Sequence, residues 1–345
     1  MTRPTEIPAY SLPTRNRRVI LTRRPQGVPM PEDFAIDEVA MPEIADGEFL
    51  VRNIYLSVDP AQRGWASAEI NYSQPVPIGG PMRALAVGVV TQSRSADVAL
   101  GEFLYGWFGW QDYAVVKPAA IIQRATEAVP LSAYVGLLGI NGLTAYFALT
   151  ELGRPVPGNT VLVSTAAGSV GSFVGQIARN LGATAIGLTG DDEKVAACCS
   201  RYGYASAHNY KTSDWGAAVA AEAPKGIDVY FDNVGGVILD KALRQMAIGG
   251  RVVQCGTASV PTWIPVPTGP RNEREILTRR LVWSGFIVFD YAQRFGVANK
   301  ALVGWYRDGK LTYDEDVAQG IEHAPGALKA IYAGENRGKK LIYIG

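Results

Sequence analysis

The run Val161-Leu162-Val163-Ser164-Thr165-Ala166-Ala167-Gly168-Ser169-Val170-Gly171 passes from an apolar strand through a small-residue turn into a helix over residues 172–181. Its spacing approximates G-x-G-x-x-G, with Ala166 in the place of the first glycine. At Gly168 the backbone can approach a pyrophosphate, and at Gly171 the helix can pack close on the strand. Ser169 and Val170 complete a turn that opens on a helix N-terminus, where N–H groups and the positive end of the dipole favour phosphate. The plainer reading is a tight strand-to-helix turn with no ligand. In a site for NAD, an acid about twenty residues on accepts from the ribose 2′-OH. Here that count reaches Leu188, followed by Thr189-Gly190-Asp191-Asp192-Glu193-Lys194. The strand tip carries no acid. Asp191 and Asp192 fall where acids cap helices, and Lys194 lies one turn in, where it can meet a 2′-phosphate. That favours NADPH; otherwise Lys194 is a solvated helix lysine. Two further strands run into turns, at Phe231-Asp232-Asn233-Val234-Gly235-Gly236 and at Val253-Gln254-Cys255-Gly256-Thr257. Asn233, Gly256 and Thr257 can line a cofactor there, although each alone is ordinary turn chemistry.

The rest of the composition removes other chemistries. There are three cysteines (Cys198, Cys199, Cys255), two histidines (His208, His323), no C-x-x-C and no H-E-x-x-H. A catalytic zinc needs about three protein ligands, so no metal is expected, and the cysteines read as small core residues. Adjacent Cys198 and Cys199 are poorly placed to bridge, so a reducing cytoplasm fits best. With 33 Lys+Arg against 32 Asp+Glu, the net charge of +1 argues against nucleic acid as a partner. At 48% hydrophobic and 19% charged the chain can bury a core. No apolar run of about 18 residues predicts a membrane span, and the start lacks the apolar core of a signal peptide.

These candidates need elements to position them. A length of 345 residues suggests about two domains. Residues 1–125 read as short alternating strands punctuated by Pro and Gly, a compact barrel or sandwich. A loop over 67–83 holds Tyr72 and is long enough to be functional. From about 130 the chain alternates strand and helix. Strands are expected at 160–164, 183–188, 228–232, 251–255 and 281–287. Helices are expected at 132–152, 171–181, 193–202, 214–223, 238–246, 273–279 and 291–307. Such βαβ alternation implies an α/β fold with a doubly wound parallel sheet that binds ligands at its strand C-terminal ends. A strand–helix–strand ends the chain at 339–344, and the pattern alone does not say which domain it closes.

Ordered motifs along nearly the whole chain carry a resemblance. They include Asn53-Ile54-Tyr55-Leu56-Ser57-Val58-Asp59-Pro60, Gly109-Trp110-Gln111-Asp112-Tyr113 and Gly142-Leu143-Thr144-Ala145-Tyr146-Phe147, then residues 166–175. Asp192-Glu193-Lys194-Val195, Asn209-Tyr210-Lys211-Thr212, residues 232–236, Cys255-Gly256 and Asn336-Arg337-Gly338-Lys339 follow. The chain resembles the zinc-independent medium-chain dehydrogenases/reductases, in the branch of prostaglandin reductases, alkenal double-bond reductases and curcumin-reductase-like enzymes.

The resemblance implies a GroES-like β-barrel domain at 1–128, a Rossmann NADPH-binding domain at 129–295, and a segment at 296–345 returning to the first domain, with the active site in the interdomain cleft. It implies that Lys194 and Tyr210, beside Gly190, hold the 2′-phosphate. Gly168, Ser169, Val170 and Gly171 would hold the pyrophosphate. Thr144 would sit near the nicotinamide. Asn233, residues 255–261 (with Cys255, Gly256 and Thr257), residues 286–292 (with Phe286 and Val288) and Asn336 would line the rest. A homodimer is common in the branch. The implied reaction is conjugate reduction: NADPH gives hydride to the β-carbon of an α,β-unsaturated ketone or aldehyde, and the developing enolate needs donors. Tyr55 is the candidate donor and substrate contact; its alternative role is barrel packing. Tyr72 and Trp263 are further substrate-contact candidates. The rivals are an NADP-dependent secondary alcohol dehydrogenase, with quinone reduction as a variant, and a non-catalytic NADPH-binding protein. The chain departs from the family pattern at Ala61 and Gln62, where Tyr and Met are usual, at Leu85, and at 258–263, where a tyrosine is common.

Overall fold

The computed structural model describes residues 12–69, 71–126, 129–260 and 262–345. The chain divides into two compact units, one running to Gly139 and resuming with Glu315–Gly345, the other Ile140–Asp314. Pro261 and the expected boundary at 128 lie outside the described residues.

In the first unit, β1 (Arg15–Leu21) and β2 (Phe34–Ala40) pair antiparallel. β3 (Phe49–Ser57), α1 (Ala61–Ala66), β4 (Ala86–Ser93), β5 (Phe103–Gly106), β6 (Tyr113–Val116) and β7 (Ile121–Arg124) follow. The second unit runs α2 (Ile140–Phe147), β8 (Thr160–Ser164), α3 (Gly171–Asn180), β9 (Thr184–Thr189), α4 (Asp192–Ser200), β10 (Ser206–Asn209), α5 (Trp215–Glu222), β11 (Ile227–Asp232), α6 (Gly236–Leu243), β12 (Met246–Gln254), α7 (Glu273–Arg279), β13 (Val282–Gly285) and α8 (Phe295–Arg307). The chain then returns to the first unit through β14 (Glu315–Gln319), α9 (Ala324–Ala333) and β15 (Lys339–Tyr343).

The second unit's sheet is ordered β10-β9-β8-β11-β12-β13 and is parallel throughout. Counted from β8 this is 3-2-1-4-5-6, the Rossmann order, with its switch point between β8 and β11. Its central strands are apolar on both faces, as helix-covered parallel strands must be; Leu162, Ile186, Tyr230 and Val252 are at most 1% exposed. The switch between units falls at 314/315, later than the boundary at 295/296 that the resemblance implies. The reason is local. Gln176 of α3 donates to Thr312 O and accepts from Thr312 N, and Asp314 accepts from Tyr202 and Arg201. The expected single helix over 132–152 is instead a 3₁₀ turn (Leu131–Tyr134), α2, and a π-helical turn (Ala148–Gly153).

The first unit's larger sheet runs β14-β15-β3-β4-β5-β7, with β6 also on β3. Phe49, Leu56, Trp65, Phe108, Trp110 and Ile342 lie in its core. β15 pairs antiparallel with β3 and sets Tyr343 opposite Tyr55. One end of this seam is an ion pair with almost no exposure: Lys339 Nζ donates to Val58 O (2.7 Å) and Asp59 Oδ1 (2.9 Å), and Asp59 also accepts from Ser57 Oγ. Burial pushes the Lys339 ammonium below its ordinary range, against the pull of Asp59. Lys339→Met strands a buried carboxylate, and denaturant unfolding is expected to register a loss of about 3–5 kcal/mol. The Lys339→Met/Asp59→Leu pair is expected to recover most of that loss. A single variant within about 1 kcal/mol of the wild type contradicts this assignment.

Candidate functional site

The turn after β8 is built for close approach. Thr165 has φ +54°, a conformation costly for a non-glycine residue that tends to cluster at ligand sites. A Cβ on Gly171 would stand 2.2 Å from Thr165 O, so only glycine lets α3 start there. Ser169 Oγ is buried in this turn and makes no hydrogen bond. Buried hydroxyls ordinarily find a partner, so this orphan fits a turn that receives an acceptor such as a phosphate oxygen.

At the tip of β9 the acids are used locally. Asp191 caps α4 by accepting from Lys194 N (3.0 Å), and Asp192 accepts from Asn209 Nδ2 (2.6 Å). Tyr210, 38% exposed, donates its N–H to Thr189 O (2.9 Å). Its phenol lies against Gly190: a Cβ there would be 2.8 Å from Tyr210 Oη and 2.9 Å from Lys211 Cε. Gly190, Tyr210 and Lys211 therefore converge where a dinucleotide's adenosine ribose belongs, with half-buried Lys194 at the start of α4. Lys211 is a cation that the spacing argument overlooked, although it stands in the quoted Asn209–Thr212 motif.

The turns after β11 and β12 are joined. Asn233 donates N–H to Ser164 Oγ (2.8 Å) and Nδ2 to Ser164 O (2.7 Å), bridging the switch point. Cys255 N and Gly256 N both donate to Asp232 O, and Ser259 N donates to Val234 O. A Cβ on Gly256 would stand 2.7 Å from Asn233 O. Asp232, fully buried, accepts from Ser164 Oγ, Tyr230 Oη, Val234 N, Gly235 N and Gln254 Nε2. Neither Asp232 nor Gln254 was singled out by spacing, because a buried carboxylate inside a turn motif reads as a turn former. The Cys255 thiol is pushed up to about 12, first by burial and then by the charge of Asp232. It therefore stays a thiol, poor as a nucleophile, at neutral pH.

Other candidates are scattered. Thr144 is buried in α2. Phe286 and Val288 are each 7% exposed. Phe286 packs on Tyr291, which stacks on Phe147 with centroids 4.9 Å apart. Trp263 is 49% exposed. Tyr55, Tyr72 and Asn336 belong to the first unit. Tyr55 is half-buried on β3, its ring 5.1 Å from that of Tyr343. Burial raises its phenol above the ordinary tyrosine range, helped by Glu315 and Tyr343. Tyr72 is 57% exposed, and Asn336 Nδ2 donates to Gly338 O (2.8 Å). Of the departures from the family pattern, Gln62 is fully buried, accepting from Asp59 N and donating to Arg83 O, and Leu85 is core. Gln62 serves the fold of this loop.

Residues 17–123 match the family described as the N-terminal domain of oxidoreductases, and residues 169–301 the family described as zinc-binding dehydrogenases. Among the described residues no group of three His, Cys, Asp or Glu could hold a metal ion. An NADPH-dependent curcumin reductase of Escherichia coli K12 is 34% identical over 335 residues, covering 96% of this chain and 97% of its own. A 2-alkenal reductase (NADP(+)-dependent) of Nicotiana tabacum is 36% identical, covering 95% and 97%. The crystal structure of CurA from Vibrio vulnificus in complex with NADPH aligns with a TM-score of 0.90 at 35% identity, covering 95% and 99%.

Proposed function

The chain belongs to the zinc-independent branch of the medium-chain dehydrogenase/reductase family, and from that premise we propose that it is an NADPH-dependent reductase of the C=C bond of α,β-unsaturated ketones and aldehydes. The observation that carries this reading is the adenosine-side geometry: no acid at the tip of β9, both neighbouring aspartates used locally, Tyr210 and Lys211 packed against Gly190, and Lys194 four residues further on. NADPH held at the β8 turn would supply the hydride that adds to the β-carbon. The residues of this chain do the rest. Gly168 to Gly171 cradle the pyrophosphate, and Ser169 Oγ gains the partner it lacks. Asn233, Cys255, Gly256 and Thr257 would line the nicotinamide side, together with Thr144, Phe286 and Val288 of the same unit.

Reduction places negative charge on the carbonyl oxygen, and Tyr55 donates a hydrogen bond to it from its phenol. A phenol held above its ordinary range is fully protonated at neutral pH, as a donor must be. The α-carbon then takes a proton from Tyr55 or water, which completes the addition of two hydrogens. Tyr72 and Trp263 offer exposed aromatic surface to a bulky apolar substrate. Purified protein should oxidise NADPH in preference to NADH over a panel of enones, enals, quinones and saturated ketones, giving saturated ketone from enone by mass and NMR. Turnover of alcohols and ketones alone replaces this reading with the alcohol dehydrogenase.

No helix among the described residues is long and apolar enough to cross a membrane. The free thiols Cys198, Cys199 and Cys255 suit a reducing cytoplasm. The protein is a homodimer on this reading. The support is β13, an edge strand carrying Val282 (55% exposed) and Trp283 (38%) with no charge or proline to guard it. Light scattering is expected to give about twice the 37.0 kDa chain mass, and Val282→Lys to give the monomer. A wild-type monomer at micromolar concentration contradicts the dimer.

A further inference from the structure

The Asp232 carboxylate has no cation beside it among the described residues, and every group bonded to it is a neutral donor. Asp is an ordinary turn former where it is solvated, but burying a charge without a counter-charge is unfavourable. What the carboxylate gains is reach. Oδ1 collects the hydroxyls of Ser164 (3.1 Å) and Tyr230 (2.9 Å) with the amides of Val234 and Gly235 (both 3.0 Å), while Oδ2 takes Gln254 Nε2 (2.7 Å). Gln254 Nε2 also donates to Gly256 O (2.7 Å), and its Oε1 accepts from Trp283 Nε1 (3.2 Å). The C-terminal tips of β8, β11 and β12 are thus drawn onto one acid–amide pair, at the end of the sheet where ligands bind, and the Trp283 side chain of β13 is tied to it through Gln254. An asparagine at 232 would turn an NH2 toward groups that are themselves donors.

We propose that Asp232, keyed by Gln254, is a positioning residue that fixes the gap between the two turns lining the nicotinamide half of the cofactor, while leaving the adenosine half untouched. The proposal rests on the NADPH reading above. Its test is fluorescence titration of intact protein with NADPH and, separately, with adenosine 2′,5′-bisphosphate, which carries only the adenosine end. Asp232→Asn is expected to weaken NADPH about thirtyfold or more, the scale of lost hydrogen bonds to a charged group. The milder Gln254→Leu, which keeps the carboxylate, is expected to weaken it about tenfold. Neither should change the bisphosphate's affinity by more than about twofold. Equal weakening of both ligands means a general structural role and overturns the proposal, as does unchanged NADPH affinity in Gln254→Leu. A wild type that binds the bisphosphate and NADPH equally also overturns it. A wild type that binds neither removes the NADPH reading itself, and the proposal with it.

Discussion

Lys194→Glu is expected to lower kcat/KM for NADPH by about three orders of magnitude and to change turnover with NADH by less than about threefold. A hydrogen bond to a charged group is worth about 1.5–3 kcal/mol, or roughly ten- to a hundredfold. Reversing the charge adds repulsion from a phosphate carrying nearly two negative charges. The backbone of Lys194 is already held by the Asp191 cap, so its replacement should not unwind α4. Lys194→Ala removes the attraction without the repulsion and should cost about ten- to a hundredfold. Steady-state kinetics with both cofactors measure the effect. Equal losses with NADPH and NADH would mean that the residue supports the fold. No loss with either would shift the 2′-phosphate contact to Tyr210 and Lys211.

Tyr55→Phe is expected to cut kcat on an enone by about 10²–10³, the range for removing one donor to a developing oxyanion, with NADPH affinity unchanged. The ring's packing on Tyr343 survives this change, so stability should move little. The pH dependence carries a definite sign. Tyr55 acts in its protonated form, and burial, Glu315 and Tyr343 all raise its pKa above 10. The active form is therefore fully present at neutral pH, and the loss of kcat on the alkaline side belongs above about pH 10. A wild-type loss centred near pH 8, or a Tyr55→Phe enzyme with full activity, would remove Tyr55 from the mechanism.

How much of this was legible in the sequence follows from the range of the interactions. β8 was bounded correctly because an apolar strand and its glycine turn are adjacent in the chain. α7 was also bounded correctly. β12 begins at Met246 rather than 251, because Gly249 and Gly250 hide its irregular start. The helix expected over 132–152 is interrupted between Tyr134 and Ile140, where the chain passes close to itself: a Cβ on Gly139 would lie 2.5 Å from Tyr134 O. Apolar periodicity does not reveal such a local close approach. The contacts that seat the last strand are the least legible. Tyr343 opposite Tyr55, and Lys339 on Asp59, join residues about 280 positions apart, and no local pattern signals either. The site divides the same way. The phosphate turn and Lys194 are local motifs. The Asp232–Gln254 clamp exists only once β8, β11 and β12 lie side by side.

The central claim is that hydride goes to the β-carbon rather than to the carbonyl carbon, and one labelling experiment tests it most directly. The protein is given NADPH carrying deuterium at the transferable C4 position, together with an enone, and the product is read by NMR. The account predicts a saturated ketone with one deuterium on the β-carbon and a solvent-derived proton on the α-carbon. An allylic alcohol with deuterium on the carbinol carbon would contradict it and make the protein a carbonyl reductase on the same fold.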